Sequence, residues 1–211
     1  GLSFQMCRDV LIRDCRFDGN SGNGLHPGAG STNVLFESCG GRDNAKSGFF
    51  FCVRANHITV RDCDFEHNDS GMSIGTRDCH NLIEDCRIRD NRRVGLLVRP
   101  SPRPVEVHTC HIRRCQISAN GDAQVDITSD AHDLLFEDNR IDGEGQGIGI
   151  RVAATASSIG LVDNQISQCE HDVQIKNEAS IGAPPQVSTC GYADAPASAF
   201  LHLSVPDLSP T

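Results

Sequence analysis

Short runs of alternating apolar and polar residues recur along the chain at a nearly constant spacing, separated by Gly, Asn, Asp and Ser. Each run is only a few residues long, which is typical of short β-strands and leaves no room for a helix. Residues 10–17, 58–65 and 82–88 are copies of one pattern, in which apolar residues lead to Asp-Cys and then to Phe or Ile. This self-similarity predicts a solenoid.

Three columns of like residues share one register. The first column consists of Cys15, Cys39, Cys63, Cys86, Cys115, Asn139 and Asn164, and its members are separated by 24, 24, 23, 29, 24 and 25 residues. An asparagine follows each cysteine of this column after five residues, giving Asn20, Asn44, Asn68, Asn91 and Asn120. The third column is a glycine before an apolar triplet, at Gly24, Gly48, Gly71, Gly95 and Gly147. The columns indicate about seven coils of roughly 24 residues each.

We therefore predict an all-β fold, a single-stranded right-handed parallel β-helix over residues 1–177. Successive copies stack about 4.8 Å apart, and parallel crossovers are nearly always right-handed. The Cys column is expected to be an interior stack, and the Asn column a ladder of amides that closes a corner. Residues 178–211 lose the repeat and are predicted to form a C-terminal tail or cap, with residues 200–205 docked on the last coil.

Composition excludes some classes of partner. A net charge of −9 and a pI near 5.4 argue against nucleic acid or an anionic membrane surface, and no apolar run is long enough to cross a bilayer. The eleven cysteines cannot all pair, although a disulfide among Cys7, Cys52, Cys79, Cys110 and Cys190 stays open. We expect no metal site and no obligatory cofactor; calcium stays open, although no clustered Asp/Glu cage demands it.

The third column also predicts a candidate site. Alternation of faces should point the following residues inward: Leu25, Phe49, Met72, Leu96, Val125, Ile148 and Val173. Their outward neighbours would be His26, Phe50, Ser73, Leu97, Asp126, Gly149 and Gln174. Two residues after each of the last four outward neighbours, a basic stripe is predicted to lie on four consecutive coils, at Arg99, Thr128, Arg151 and Lys176. The step of 29 residues in the first column adds a Pro-rich loop next to this stripe. The loop contains Arg103 and is predicted to form one side of the site.

A second polar patch falls in the turn that follows the same strands. It contains Arg54, Arg77, Asp78 and His80, with His57 and His132 near the same corner. We assign Arg54 and Arg77 to substrate binding, whereas turn residues of this kind are often simply solvated. Asp14, Asp62, Asp85 and Asp138 recur with the repeat and are interpreted as turn residues.

The pattern Val/Ile-x-x-Asp-Cys/Asn-x-Phe/Ile, followed by Asn and then Gly-apolar, resembles the right-handed parallel β-helix superfamily over residues 1–177. This superfamily includes pectate lyases, alginate lyases and epimerases, and polygalacturonase-like hydrolases. The resemblance implies a carbohydrate-active protein that is extracellular or periplasmic. Mannuronan epimerases carry Gly-Phe-Asp-Pro-His-Glu on such a strand, whereas residues 24–29 here read Gly-Leu-His-Pro-Gly-Ala, so their acid and histidine are both missing.

We predict an enzyme that acts on a uronate-containing polysaccharide by β-elimination. Arg99, Arg151 or Lys176 would take the C5 proton, and Asp126 would orient one of them. The predicted substrate contacts are His26, Phe50, Arg54, Arg77, Leu97, Arg103 and Thr128. A glycan-binding or structural β-helix module and a glycoside hydrolase are the alternatives, and a chain that starts inside a coil permits end-to-end self-association.

Overall fold

The computed structural model describes residues 1–100, 107–128 and 130–176, together with the backbone of Leu201–His202. Within these residues all regular structure is β-strand, and every strand pairing is parallel. The described part has no helix of the length and apolar character that a membrane span requires. The chain winds through three sheets in each coil, which confirms the predicted β-helix of about seven coils.

Each sheet collects one strand from successive coils. Sheet 1 contains β1 (Leu2–Phe4), β3 (Leu25–Pro27), β6 (Ser47–Phe50), β9 (Ser70–Ile74), β12 (Val94–Val98), β15 (Ala123–Ile127), β18 (Ile148–Val152) and β21 (His171–Ile175). Sheet 2 contains β2 (Arg8–Arg13), β4 (Thr32–Glu37), β7 (Asn56–Arg61), β10 (Leu82–Glu84), β13 (His108–Arg113), β16 (His132–Glu137), β19 (Ser157–Val162) and β22 (Leu201–His202). Sheet 3 contains β5 (Gly40–Arg42), β8 (Asp64–Glu66), β11 (Arg87–Arg89), β14 (Gln116–Ser118), β17 (Arg140–Asp142) and β20 (Gln165–Ser167).

The interior is one continuous column of apolar side chains. Phe36, Phe49 and Phe65 are fully buried, and their rings pack edge to face at centroid distances of 4.8 and 5.7 Å. Each fully buried side chain of this size contributes about 1.5–3 kcal/mol to folding. The cysteine column lies in the same core, with Cys39, Cys63, Cys86 and Cys115 at most 2% exposed, so the prediction of an interior stack is confirmed. All ten described cysteines are free thiols.

The asparagine column forms the predicted ladder. Each side-chain amide nitrogen donates to the carbonyl oxygen of the next asparagine, at 2.7 Å from Asn20 to Asn44 and 2.9 Å from Asn44 to Asn68. The ladder continues through Asn91 to Asn120, whose side chain donates to Gln124 instead. Because these amides are buried, the bonds satisfy polar groups that would otherwise destabilise the corner.

The corners of the coil depend on left-handed backbone at non-glycine residues. Asp14, Asp62, Asp85 and Asp138, which precede the Cys/Asn column, have φ between 52° and 56°. Aspartate and asparagine tolerate this region better than most residues because their short side chains bond locally. The interpretation of these aspartates as turn residues is confirmed.

The predicted register is wrong in one coil. Gly149, not Gly147, occupies the position of the earlier column glycines, because Ile150 pairs with Val125 and Arg151 pairs with Asp126. Gly147 lies in the preceding turn with φ 67°, and a Cβ at Gly149 would meet the Ile166 side chain and the Asp172 carbonyl, so Gly149 does not face outward. Because the apolar–polar pattern of a strand has a period of two, a shift of two residues leaves the pattern unchanged, and alternation does not discriminate between the two registers.

The predicted docking of the tail is also wrong. Leu201 pairs in parallel with Val10, and His202 with Leu11, so β22 extends sheet 2 beyond the first coil rather than the last. Pairing there covers the strand edge of β2, which would otherwise present unpaired backbone groups. The other residues assigned to the tail lie outside the described part, and the boundary at residue 177 stays a prediction.

Candidate functional site

The outer face of sheet 1 carries one line of side chains along the axis of the solenoid. This outer row consists of Ser3, His26, Phe50, Ser73, Leu97, Asp126, Arg151 and Gln174. With strands about 4.8 Å apart, eight positions extend over about 34 Å. A face of this length suits an extended, repetitive ligand rather than a compact small molecule.

Arg99 is tightly bound in the first half of the row. Its guanidinium donates to the Phe51 carbonyl at 2.8 Å and to the Ser73 hydroxyl at 3.3 Å, and lies 4.1 Å above the centre of the Phe50 ring. The same group is 3.9 Å from the fully buried carboxylate of Asp78. A Cβ at Gly75 would collide with it. We name Phe50, Ser73, Asp78 and Arg99 the arginine cluster, and its contacts indicate a structural role.

Asp78 explains why the cluster needs a cation. Burial raises the pKa of its carboxyl to about 8, although the backbone N–H groups of Gly75 and Ala55 and the guanidinium of Arg99 favour the ionised form. Below about pH 8 this carboxyl is largely protonated; above it Arg99 is the counter-charge of a buried carboxylate, which would cost several kcal/mol to leave unpaired. Arg99 therefore stabilises the fold at the turn after sheet 1.

His26 stands next to this cluster. Its ring packs edge to face against Phe50 at 5.2 Å, and its Nδ1 is 3.3 Å from the Ser3 hydroxyl. Burial, followed by the charge of Arg99, lowers the pKa of His26, so the ring is neutral at neutral pH. Nε2 is buried without a hydrogen-bond partner. His26 is thus a neutral imidazole near one end of the row, and its unpaired Nε2 is not exposed to solvent.

The second half of the row contains a different arrangement. Arg151 Nη1 donates to Asp126 Oδ2 at 2.7 Å, and the other oxygen, Oδ1, is buried without a partner. The pKa of the Asp126 carboxyl is raised overall, chiefly by burial and also by the negative charge of Asp122. The positive charges of Arg151 and Lys176 oppose this shift. We name Asp126, Arg151 and Lys176 the acid–base cluster. Lys176 is exposed and Arg151 is 29% exposed, so both cations are accessible from solvent.

A cavity of about 400 Å³ opens next to Arg151 at the corner between sheets 3 and 1. Its polar lining includes Asp122, Gln146, Arg151 and Glu170. A cavity of this volume is within the range of small-ligand sites, and here it would hold part of a longer chain. The acid–base cluster therefore combines a paired carboxylate, two cations and a recess.

The predicted basic stripe is not continuous. Arg99, Thr128 and Lys176 lie at the positions predicted for the basic stripe, but Ala153 occupies the position assigned to Arg151. Arg151 lies instead in the outer row beside Asp126. The Thr128 hydroxyl donates to the Val98 carbonyl at 2.8 Å. Leu97 is half-buried between Ser73 and Asp126.

The second patch lies beyond the edge of sheet 1. Arg54 and Arg77 are exposed in the turn that leads to sheet 2, with φ of 66° and 57°, and on adjacent coils. Neither is in the outer row. Arg103 lies outside the described residues. The structure therefore brings together Asp126, Arg151 and Lys176, and separately His26, Phe50 and Arg99.

A ladder of alternating positive and negative side chains on sheet 2 was not predicted from the sequence. Arginine and glutamate alternate along one outer position, in the order Arg13, Glu37, Arg61, Glu84, Arg113 and Glu137. Glu84 is 3% exposed and accepts from Arg61 at 2.7 Å and from Arg113 at 2.7 Å. Burial raises the pKa of Glu84, but these arginines outweigh it and the net shift is downward. The alternation was visible at the repeat spacing, and it indicates a stabilising surface.

A family model described as right-handed beta helix region matches residues 1–81 and 54–183, so most of the chain is covered. The chain belongs to this right-handed β-helix family. The structure is similar to the mannuronan C-5 epimerase AlgE4 A-module of Azotobacter vinelandii, with a TM-score of 0.57 and 15% identity over 81% of the chain. The chain spans 57% of the length of that module, and the likeness is one of fold. No curated protein matches the sequence significantly.

Proposed function

We propose that this β-helix is carbohydrate-active: it binds an acidic, uronate-containing polysaccharide along the outer row of sheet 1 and cleaves it by β-elimination at the acid–base cluster. The observation that carries the proposal is the Asp126–Arg151 pair, with Lys176 nearby, on a chain of net charge −9. The similar fold of a mannuronan C-5 epimerase module adds support, because inversion at C5 and elimination both begin with removal of the C5 proton.

The two cations suit recognition of a uronate carboxylate. Arg151 can present a planar pair of N–H donors, and Lys176 a point charge on a flexible stem. Neutralising the substrate carboxylate lowers the pKa of the adjacent C5–H, because negative charge develops there in the transition state. The cavity that Asp122, Gln146 and Glu170 line with Arg151 would receive the neighbouring sugar.

Asp126 is the best candidate for the base. The raised pKa of its carboxyl makes it a stronger base than an ordinary aspartate, whereas arginine does not lose its proton in proteins. A substrate carboxylate that binds Arg151 would compete with Asp126 for the guanidinium and release Asp126 Oδ2. The C5 proton then goes to Asp126, and the C5–H electron pair forms the C4–C5 double bond. The C4–O4 bond breaks, and the O4 glycosidic oxygen leaves with the bonding pair and takes a proton from water.

A hydrolase is the second candidate, and one observation favours it. The negative charge of Asp122 raises the pKa of Asp126, which indicates two carboxylates near one another. Glycoside hydrolysis uses a carboxylic acid with a raised pKa and a second carboxylate as base or nucleophile. In this case Asp126 would be the acid, and the products would carry no double bond.

The test follows ultraviolet absorbance of the unsaturated uronate during incubation with polygalacturonate, alginate, hyaluronan, heparan sulfate and chondroitin sulfate, with reducing ends measured in parallel. We expect absorbance and reducing ends to rise together on one of these polymers. Arg151→Gln and Lys176→Gln should reduce both rates, whereas Arg140→Gln, an exposed arginine on sheet 3, should not.

Each other outcome has a definite meaning. Reducing ends without absorbance would replace elimination by hydrolysis. Binding without cleavage, lost in Arg151→Gln, would leave a glycan-binding module on the same face. If the protein neither binds nor cleaves any polymer of the panel, that result would contradict the proposal.

A further inference from the structure

Four histidines from consecutive coils lie together where the turn after sheet 1 enters sheet 2. The rings of His57 and His80 stack at 5.0 Å, those of His80 and His108 meet edge to face at 5.5 Å, and those of His108 and His132 stack at 5.2 Å. This histidine ladder is distinct from the outer row of sheet 1. The proposed function uses none of its members.

Cys79 adds a thiol to the ladder. It pairs in parallel register with His108 on the next coil, and the adjacent residue is His80. In an extended strand, neighbouring side chains point to opposite faces. The left-handed backbone of His80, with φ 54°, breaks that alternation. As a result one ligand atom from each of Cys79, His80 and His108 lies within 4.8 Å of the other two.

The geometry points to a transition-metal site, and we propose that Cys79, His80 and His108 bind one Zn²⁺ or a similar divalent ion. One thiolate and two imidazoles form a borderline-soft donor set that suits Zn²⁺, Co²⁺, Ni²⁺ or Cu²⁺. Ca²⁺ and Mg²⁺ require oxygen ligands and do not match it. Three protein ligands leave one tetrahedral position for water or an external ligand, as in catalytic zinc sites.

Neighbouring contacts already orient the rings of the ladder. His108 Nδ1 is 2.9 Å from the Thr109 hydroxyl, His57 Nδ1 is 2.9 Å from Asn56 Oδ1, and His132 Nδ1 is 2.8 Å from Asp133 Oδ2. Metal-bound histidines characteristically use one ring nitrogen for such a contact, which fixes the ring for the metal. The three ligands are each half-buried, so an ion can reach them from solvent.

Proton release accompanies binding. Cys79 binds a metal as a thiolate, so the proton of its thiol has to leave. A metal must displace it, and the affinity therefore increases with pH.

The test is a Co²⁺ titration of the full chain, followed by visible and near-ultraviolet spectra, with Zn²⁺ affinity measured by competition against a chromophoric chelator. We expect one ion per chain, a sulfur-to-cobalt charge-transfer band, and tetrahedral d–d bands. Cys79→Ser should abolish the charge-transfer band. His108→Gln and His80→Asn should each weaken Zn²⁺ affinity by more than about 100-fold, the upper range for loss of a second-shell partner. Asn is chosen at position 80 because it tolerates positive φ.

His171→Gln and Cys169→Ser are the matched controls, since both residues lie outside the ladder. Circular dichroism of the metal-free variants separates loss of ligand from loss of fold. Absence of a charge-transfer band in the wild type, or wild-type affinity in folded Cys79→Ser and His108→Gln variants, would overturn the site. The outcome is independent of the sheet 1 proposal, because Cys79, His80 and His108 all lie outside sheet 1.

Discussion

The two halves of the outer row use arginine in opposite ways. Arg99 donates to a backbone carbonyl, covers Phe50 and faces a buried aspartate, so its contacts are complete within the protein. Arg151 makes a bond of 2.7 Å to Asp126, next to an exposed lysine and an open cavity. A cation becomes available for a ligand when its protein partner can be exchanged. The same repeat therefore supplies a structural cluster at one end and a candidate reactive cluster at the other.

The largest expected effect separates the two halves by activity. Asp126→Asn removes the proposed base and should lower kcat/KM by about 10²–10⁴-fold, the contribution typical of general acid–base catalysis. Asp130→Asn, in the exposed turn that follows, is the matched control and should keep wild-type activity. The measurement is initial rate against substrate concentration. An Asp126→Asn enzyme with an unchanged kcat/KM would remove Asp126 from the mechanism.

The next effect separates the halves by stability. Arg99→Ala removes the hydrogen bonds to the Phe51 carbonyl and the Ser73 hydroxyl and the cation over the Phe50 ring, and should lower the free energy of unfolding at neutral pH by about 2–3 kcal/mol. Urea unfolding checks this, with Arg54→Ala as an exposed control expected to change stability by at most about 0.5 kcal/mol. The variant should retain kcat/KM at temperatures where it is folded. Full stability with lost activity would instead make Arg99 part of the reactive site.

The stability loss in Arg99→Ala should depend on pH. Asp78 has a pKa of about 8 in the folded protein, above its ordinary 3.8, so the folded state binds the extra proton between these values. Its contribution therefore makes stability fall as pH rises through this window. The charge of Arg99 lowers this pKa, so in Arg99→Ala the pKa of Asp78 is higher and the pH range over which stability falls extends to higher pH. The difference between variant and wild type should be greater at alkaline than at acidic pH, and a pH-independent difference contradicts the assignment.

A smaller effect concerns the pH profile of activity. Asp126 acts as a base only when ionised, so kcat/KM should rise with pH through a pKa above the ordinary 3.8. Arg151 lowers this pKa, and Arg151→Gln should move the rising limb to higher pH and also weaken substrate binding by about tenfold, or about 1.4 kcal/mol. Arg140→Gln should leave the profile unchanged. A shift to lower pH in Arg151→Gln contradicts the proposed electrostatics.

The smallest effect is expected at His26. Its Nε2 is buried without a partner, so His26→Leu should change stability at neutral pH by less than about 1 kcal/mol, in the stabilising direction. The lowered pKa of His26 means that the unfolded chain takes up a proton first as pH falls below 6.5. This group then destabilises the fold. Thermal unfolding of His26→Leu should be less acid-sensitive than wild type; equal sensitivity would show that His26 does not contribute.

The sequence predicted the features that repeat in most coils. The cysteine stack and the amide ladder from Asn20 to Asn120 were recognisable because their spacing equals one coil and their chemistry suits stacking. Arg151 was misplaced because Gly147 and Gly149 are two residues apart in the sequence, so alternation alone permits both registers. The sequence placed His57, His80 and His132 near one corner, but the contact of His80 with His108 and Cys79 was not predicted, because these residues come from two neighbouring positions that the left-handed turn brings together.

Arg151 and Lys176 are the residues that we propose to recognise a uronate carboxylate on sheet 1. The most direct measurement compares the affinity of the wild type and of an Arg151→Gln, Lys176→Gln variant for an oligouronate and its methyl ester. We predict that the wild type binds the free acid at least about tenfold more tightly, or about 1.4 kcal/mol, and that the variant loses this preference. Equal affinity of the wild type for acid and ester, or a preference that persists in the variant, would contradict this prediction.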